Sequence, residues 1–150
     1  MPIRMIDISD KKPSARTARA RVRLSAIPKV IGMIRDGALA KGDCLAAAQA
    51  AGILAAKKTP ALIPLCHPLP VSFVDLSFSF RRDFLEIESV VKASYSTGVE
   101  MEALCACAVA ALTVYDMTKA HDKNMTITDL HVVEKRGGKS DYHRVKSKNT

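Results

Sequence analysis

Polar and apolar residues alternate in several stretches of this chain, and between those stretches the spacing becomes helical. In ARARVRL, residues 18–24, Ala20, Val22 and Leu24 share one face, and Arg19, Arg21 and Arg23 share the other. A period of two marks a half-buried strand with a basic outer face. Such a charged row also discourages pairing between edges. In VSFVDLSFSF, Val74, Leu76, Phe78 and Phe80 alternate with Asp75, Ser77 and Ser79. After a turn at RRD, the run FLEIESVVKASY places Leu85, Ile87, Val91, Ala93 and Tyr95 on one face. The two runs predict an antiparallel hairpin. NMTITDLHVVEK predicts a fourth strand, and RGGKSDYHRVKSKNT follows it as a polar, basic tail.

The helical segments lie between these strands. PKVIGMIRDG, residues 28–37, has proline at its start and glycine at its end, the usual asymmetry of a short helix. Asp43 is placed to cap CLAAAQAAGILAAKK, which should stop at Thr59–Pro60. That helix is rich in alanine, and Gly52 would let another backbone approach closely. The longest helical signal is STGVEMEALCACAVAALTVYDMTKAHDK. Ser96 or Thr97 would open it. Glu100 and Glu102 fall in its first turn, and Lys119 and Lys123 near its end, as the helix dipole favours. Its middle is apolar nearly all round, which predicts a central, buried helix.

The order is β, α, α, β, β, α, β. Apart from the extra short helix it is the split βαβ order of ferredoxin-like folds. The expectation is an α+β domain: a four-stranded antiparallel sheet with helices on one face. The other face would be left for a second subunit to cover, so an oligomer is expected.

Composition narrows the function. The chain has 150 residues and no linker-like stretch, so residues 1–150 are read as one domain. The net charge of +8 points to an anionic partner. With no Trp, three Tyr and four Phe, the chain is poor in the stacking platforms of single-stranded nucleic acid binders. A small polyanion suits it better. The start MPIRMIDISDKK has no apolar core of a signal peptide, and no run approaches the ~18 apolar residues of a membrane span. Cys44, Cys66, Cys105 and Cys107 form no CxxC pair, so reduced thiols in the cytoplasm are expected, with no membrane partner.

LIPLCHPLP, residues 62–70, is too broken by proline for a helix and too apolar for an ordinary surface loop. A zinc site needs three or four ligands at recognised spacings, and HExxH, CxxC and HxH are all absent. A thiol nucleophile needs a base and an oxyanion site, whereas adjacent Cys and His in an extended segment point to opposite sides. Two readings remain open: a histidine satisfied by backbone in a stiff crossover, or a preorganised pocket wall containing His67. On the long helix, Glu102 and Asp116 share a face but stand about 21 Å apart along the axis. One copy of the helix cannot bring both to a single small centre. Dipole stabilisation for the glutamates, and an i,i+3 ion pair between Asp116 and Lys119, are equally open. Lysines around the glycine pair of KRGGKS could wrap a phosphate, although this is not the GxxxxGK[ST] loop.

Taken in order, MIDISDK, KGD at 41–43, AGILAAKKT at 51–59, LIPLCHPLP, GVEMEAL at 98–104, YDMTKA at 115–120 and GGKS at 137–140 resemble the MoaC family over nearly the whole chain. Members of that family make cyclic pyranopterin monophosphate for molybdenum cofactor biosynthesis. The resemblance implies conversion of (8S)-3′,8-cyclo-7,8-dihydroguanosine 5′-triphosphate with release of diphosphate. No cofactor is required, no resident metal is implied, and the sequence leaves open whether magnesium accompanies the triphosphate. It also implies a hexamer, a trimer of dimers, with active sites at dimer interfaces. Carried over residue by residue, Asp116, Lys119 and Lys41 match catalytic positions. Leu65, Cys66 and His67, with Glu100, Met101 and Glu102, match segments lining the substrate pocket. Arg16, Lys57, Lys135 and Lys139 match basic positions suited to the triphosphate. Segments 1–15 and 137–150 are expected to be flexible without ligand. Cys105 and Cys107 stand where Thr or Ala is expected, and His121 where an apolar residue is expected. Two rivals stand beside this reading: a nucleic-acid-binding module using the Arg19–Arg21–Arg23 row, and a non-catalytic assembly protein.

Overall fold

A computed structural model of the chain describes residues 1–145. The end of the tail, 146–150, for which flexibility is expected, lies outside the described residues. Strand β1, Ser14–Ser25, extends the alternating arginine run in both directions and becomes the middle of the sheet. It pairs antiparallel with β3, Phe84–Tyr95, on one side and with β4, Thr126–Arg136, on the other. Strand β2, Val71–Phe80, forms the expected hairpin with β3. The order β2-β3-β1-β4 is that of the ferredoxin-like fold. Where four strands are expected, a fifth of two residues, β5, Tyr142–His143, adds to β4. It forms because the chain reverses after β4 and pairs back along it.

The helices are α1, Pro28–Arg35; α2, Cys44–Lys57; α3, Thr59–Leu62; and α4, Glu100–Thr118. The Asp43 carboxylate caps α2 by accepting the Ala46 N–H at 3.0 Å. Thr59–Pro60 ends α2 and also begins the single turn of α3. The buried Thr59 hydroxyl donates to the carbonyls of Ala55 and Ala56 at 3.1 Å. Helix α4 is capped by neither Ser96 nor Thr97. Its N-cap is Val99, with no side-chain bond. The Ser96 hydroxyl donates instead to the Lys11 carbonyl, 2.7 Å away. A tertiary acceptor won over the local cap.

The core is the layer between sheet and helices. Ala18, Ala20, Val22 and Leu24 of β1 and Leu85, Ile87 and Val91 of β3 are buried, with Ala103, Ala106, Ala110 and Val114 of α4. Small residues on α4 let its axis lie close to the sheet. The buried Ser89 hydroxyl finds its acceptor in the Ala103 carbonyl at 2.8 Å. By length and composition α4 is apolar enough to cross a membrane, but half of that apolar window is buried in this core. Helix α2 packs on α4 through Gly52. A Cβ there would lie 2.6 Å from Leu76 Cδ2 and 2.9 Å from the Ala106 carbonyl oxygen.

The far face of the sheet carries charge rather than an apolar surface. Arg19 bridges Glu88 and Glu134, Arg21 reaches Glu88 at 2.7 Å and Glu86 at 3.5 Å, and Arg23 lies between Glu86 and Asp129. The arginine row read from the sequence is therefore matched by acidic residues across β3 and β4.

Gly52→Ala tests the helix contact. Alanine gains about 1 kcal/mol of helix propensity. The Ala106 carbonyl is backbone and cannot step aside, so overpacking of ~1–3 kcal/mol should dominate. A urea titration should show a lower midpoint with an unchanged slope; an equal or higher midpoint would contradict this packing.

Candidate active site

The two ends of α4 carry two clusters. At its C-terminal end, Asp116 lies in the last turn and Lys119 just beyond it. Lys41 comes from the turn before α2, which the packing of α2 on α4 brings to the same place. Lys119 Nζ is 2.6 Å from Asp116 Oδ1, and Lys41 Nζ is 3.1 Å from Oδ2 and 3.0 Å from the Asp116 carbonyl oxygen. Each carboxylate oxygen thus has its own ammonium donor. Hydrogen bonds from Lys119 and then Lys41 hold Asp116 below its ordinary 3.8, and Asp116 in turn raises Lys119. All three side chains remain more than half exposed, so the cluster opens outward and holds nothing of its own between its members.

At the N-terminal end of α4 lies a cavity of about 350 Å³. Leu65, Cys66 and His67 border it from the loop between α3 and β2, and Glu100, Met101 and Glu102 from the first turn of α4. All six are residues picked out in the sequence. The loop is not extended at Cys66, whose N–H closes a turn on the Ile63 carbonyl at 3.1 Å. Cys66 and His67 therefore border the same cavity, where strand alternation would have sent them to opposite sides. His67 Nε2 donates to the Ile6 carbonyl at 2.8 Å.

Burial shapes the chemistry here. Glu102 is 3% exposed; loss of water raises its pKa, and the charge of Glu100 adds to the rise. The Cys66 thiol is pushed up by burial and then by Glu102. Burial takes the Cys44 and Cys107 thiols to about 11, and all four cysteines are free. Raised in this way, the Cys44, Cys66 and Cys107 thiols are poorly suited to nucleophilic work. Glu100 pairs with Lys135 of β4 at 2.7 Å.

The remaining basic positions are distributed unevenly. Arg16 lies at the cavity end of the sheet, with Nε directed at the Tyr95 carbonyl at 3.4 Å. Lys57 closes α2 and Lys139 lies exposed after β4; none of Arg16, Lys57, Lys135 and Lys139 borders the cavity itself. His121 is an exposed residue just past α4. Among the described residues, no three His, Cys, Asp or Glu side chains converge as metal ligands. The sequence reading missed a whole wall. Arg4, Ile6, Ile8 and Lys11 of the N-terminal segment border the cavity, as do Leu69 and Thr97. That segment has no helical or strand period to reveal it. The local signal was Asp7-x-Ser9, an Asx turn in which Asp7 Oδ1 accepts both the Ser9 N–H at 2.9 Å and its hydroxyl at 2.6 Å.

Comparison with known proteins shows the family. Residues 5–138 match the model of the MoaC family. The cyclic pyranopterin monophosphate synthase of Streptomyces avermitilis is 56% identical over 137 residues, spanning 91% of this chain and 81% of the relative. The enzyme of the same name from Heliobacterium modesticaldum is 54% identical over 142 residues, 93% of this chain and 89% of the relative. That from Brevibacillus brevis is 51% identical over 143 residues, 94% of this chain and 89% of the relative.

The lysine–aspartate cluster has a measurable signature. A depressed carboxyl pKa means the pairing contributes above the unfolded value of 3.8 and fades as pH falls through the lower folded value. Carboxyl ¹³C NMR should place the Asp116 midpoint below 3.8, and Lys119→Ala should move it upward. A wild-type midpoint at or above 3.8 would rule the pairing out.

Proposed function

The chain belongs to the MoaC family, and from that membership we infer that it is a cyclic pyranopterin monophosphate synthase. It converts (8S)-3′,8-cyclo-7,8-dihydroguanosine 5′-triphosphate to cyclic pyranopterin monophosphate and diphosphate, an early step of molybdenum cofactor biosynthesis. The reaction opens the purine-derived ring with water and closes it again as a pterin. A sugar hydroxyl then attacks the innermost phosphorus, and the bond to diphosphate breaks. No electrons are exchanged, so no redox cofactor is called for. Magnesium on the triphosphate is compatible with this scheme.

The observation that carries the site assignment is the division of labour along α4. The cavity end offers a buried Glu102, whose pKa burial raises, together with His67 and the Glu100–Lys135 pair, suited to the N–H groups of the ring. Arg16 and Lys135, held close to this end, supply positive charge for the phosphates, which stabilises departing diphosphate. The other end offers Lys41, Asp116 and Lys119 for proton transfers. Lys119 is held as a cation by Asp116, so it enters the reaction as an acid. Residues 102 and 116 lie about 21 Å apart on one helix. One active site then takes its pocket from one protomer and its lysine–aspartate cluster from the neighbour. A hexamer built as a trimer of dimers meets that need. The protein works in the cytoplasm, where its thiols stay reduced. The nucleic-acid reading loses its support, because Arg19, Arg21 and Arg23 are neutralised by Glu86, Glu88 and Glu134.

Purified protein should release pyranopterin and diphosphate from the cyclic substrate; no product would refute the assignment. Asp116→Asn and Lys119→Ala should abolish turnover while keeping the oligomer and its melting temperature. Sharing between protomers is tested by mixing. Chains carrying Glu102→Ala and chains carrying Lys119→Ala, each inactive alone, should regain about a quarter of wild-type activity when co-assembled, since half the random dimers are mixed and each of these has one intact site. Continued inactivity of the mixture would place both clusters in separate sites.

A further inference from the structure

Gly98 opens the segment GVEMEAL and Gly138 stands in GGKS. We propose that both are positioning residues for the substrate site. The space where each lacks a side chain is the seat for the head of a charged neighbour, the Glu100 carboxylate at Gly98 and the Arg16 guanidinium at Gly138. The proposal rests on the reading of this cavity as the substrate pocket.

At Gly98 the backbone gives no reason for glycine. Its φ is outside the left-handed region, unlike that of Gly37, Gly42, Gly137 and Gly138. What excludes a side chain is Glu100. A Cβ at Gly98 would lie 2.7 Å from both Cδ and Oε1 of that carboxylate, and Glu100 supplies all three of the nearest atoms. Seated there, Glu100 Oε1 meets Lys135 Nζ at 2.7 Å. The carboxylate is thus held between the backbone and an ammonium group, at the edge of the cavity.

Gly138 repeats the arrangement with the opposite charge. A Cβ there would lie 2.8 Å from Arg16 Cζ and 3.2 Å from Nη2. From its other side the guanidinium is directed by Nε to the Tyr95 carbonyl. The glycine pair is not a free nest of N–H groups for phosphate. The Gly137 N–H already donates to Asp141 Oδ1 at 2.9 Å, and the surface of Gly138 is taken by Arg16. The turn therefore presents an anion with a fixed guanidinium in place of its own backbone. Arg and Glu are long, flexible side chains, and seating their heads removes rotamers before substrate arrives.

Gly98→Ala in the full-length enzyme is the sharpest test. The obstructing atoms are the far end of one flexible side chain, so the melting temperature should stay at the wild-type value. A crystal structure should show the Glu100 head displaced and the bond to Lys135 broken; an unmoved pair would overturn the proposal. KM for the cyclic triphosphate should rise on the order of tenfold with kcat largely kept. The double variant Gly98→Ala/Glu100→Gln should be no worse than Glu100→Gln alone. Gly138→Ala carries backbone strain as well, at φ 78. Gly37→Ala, at φ 66 with nothing within 4 Å of its Cβ, supplies the control. Both should lose melting temperature, but only Gly138→Ala should raise KM, and it should add nothing to Arg16→Gln. If Glu100→Gln and Arg16→Gln leave KM unchanged, the pocket reading fails, and the crystal structure still decides the seat. If they raise KM while the glycine variants do not, or if the effects multiply in the doubles, the seats are refuted.

Discussion

Helix α4 is packed closely on two sides, and the rest of the protein depends on its position. It is wedged between α2 and the sheet by residues too small to give way: Gly52 against the Ala106 carbonyl on one side, and Ala103, Ala106 and Ala110 beneath β1 and β3 on the other. Close-packed interiors of this kind transmit position rather than absorb it. A rigid rod of 19 residues then holds a buried pocket rim at one end and an exposed lysine–aspartate cluster at the other, at a separation no side chain can span.

The two carboxylates on that rod face opposite environments. Glu102 is buried, and loss of water favours its neutral form. Asp116 is exposed between two ammonium groups that favour its charged form. Environments that push two like groups apart in pKa are how one fold assigns acid and base roles. Here the difference in environment follows from where the helix begins and ends: its first turn is covered by the Leu65–His67 loop and the N-terminal segment, and its last turn is left bare.

Positive charge is distributed with similar economy. The arginines of β1 are the most conspicuous cations in the sequence, yet they are spent on Glu86, Glu88 and Glu134 across the open face of the sheet. Arg16, on the same strand, escapes that lattice because alternation puts it on the other face, with Ala18 and Ala20 and opposite Ala93, where it reaches the Tyr95 carbonyl and the glycine turn. A few residues along one strand separate a neutralised arginine from one without a carboxylate partner among the described residues.

The four long strands, the three longer helices and their order were legible in the sequence, unlike the one-turn α3 and the two-residue β5, because period two and period 3.6 are local properties imposed by backbone geometry and by one buried face. So were the Asp43 cap and the close approach at Gly52. The residues of both site clusters could be named from the motifs that resemble the family. Other features came only with the tertiary structure, and in each case the reason was a partner distant in sequence. The N-terminal wall has no periodicity, and Ile6 meets His67 across 61 residues. Ser96 left the helix cap for a carbonyl 85 residues away. The outer arginines look like an anion site until β3 and β4 bring their glutamates alongside. Gly98 looks like a spare turn residue until the Glu100 head is placed upon it. Local pattern determines which elements form; whether a charged or polar group is free to act depends on what the fold sets against it, because hydrogen bonds and ion pairs are made in space and leave no period in the chain.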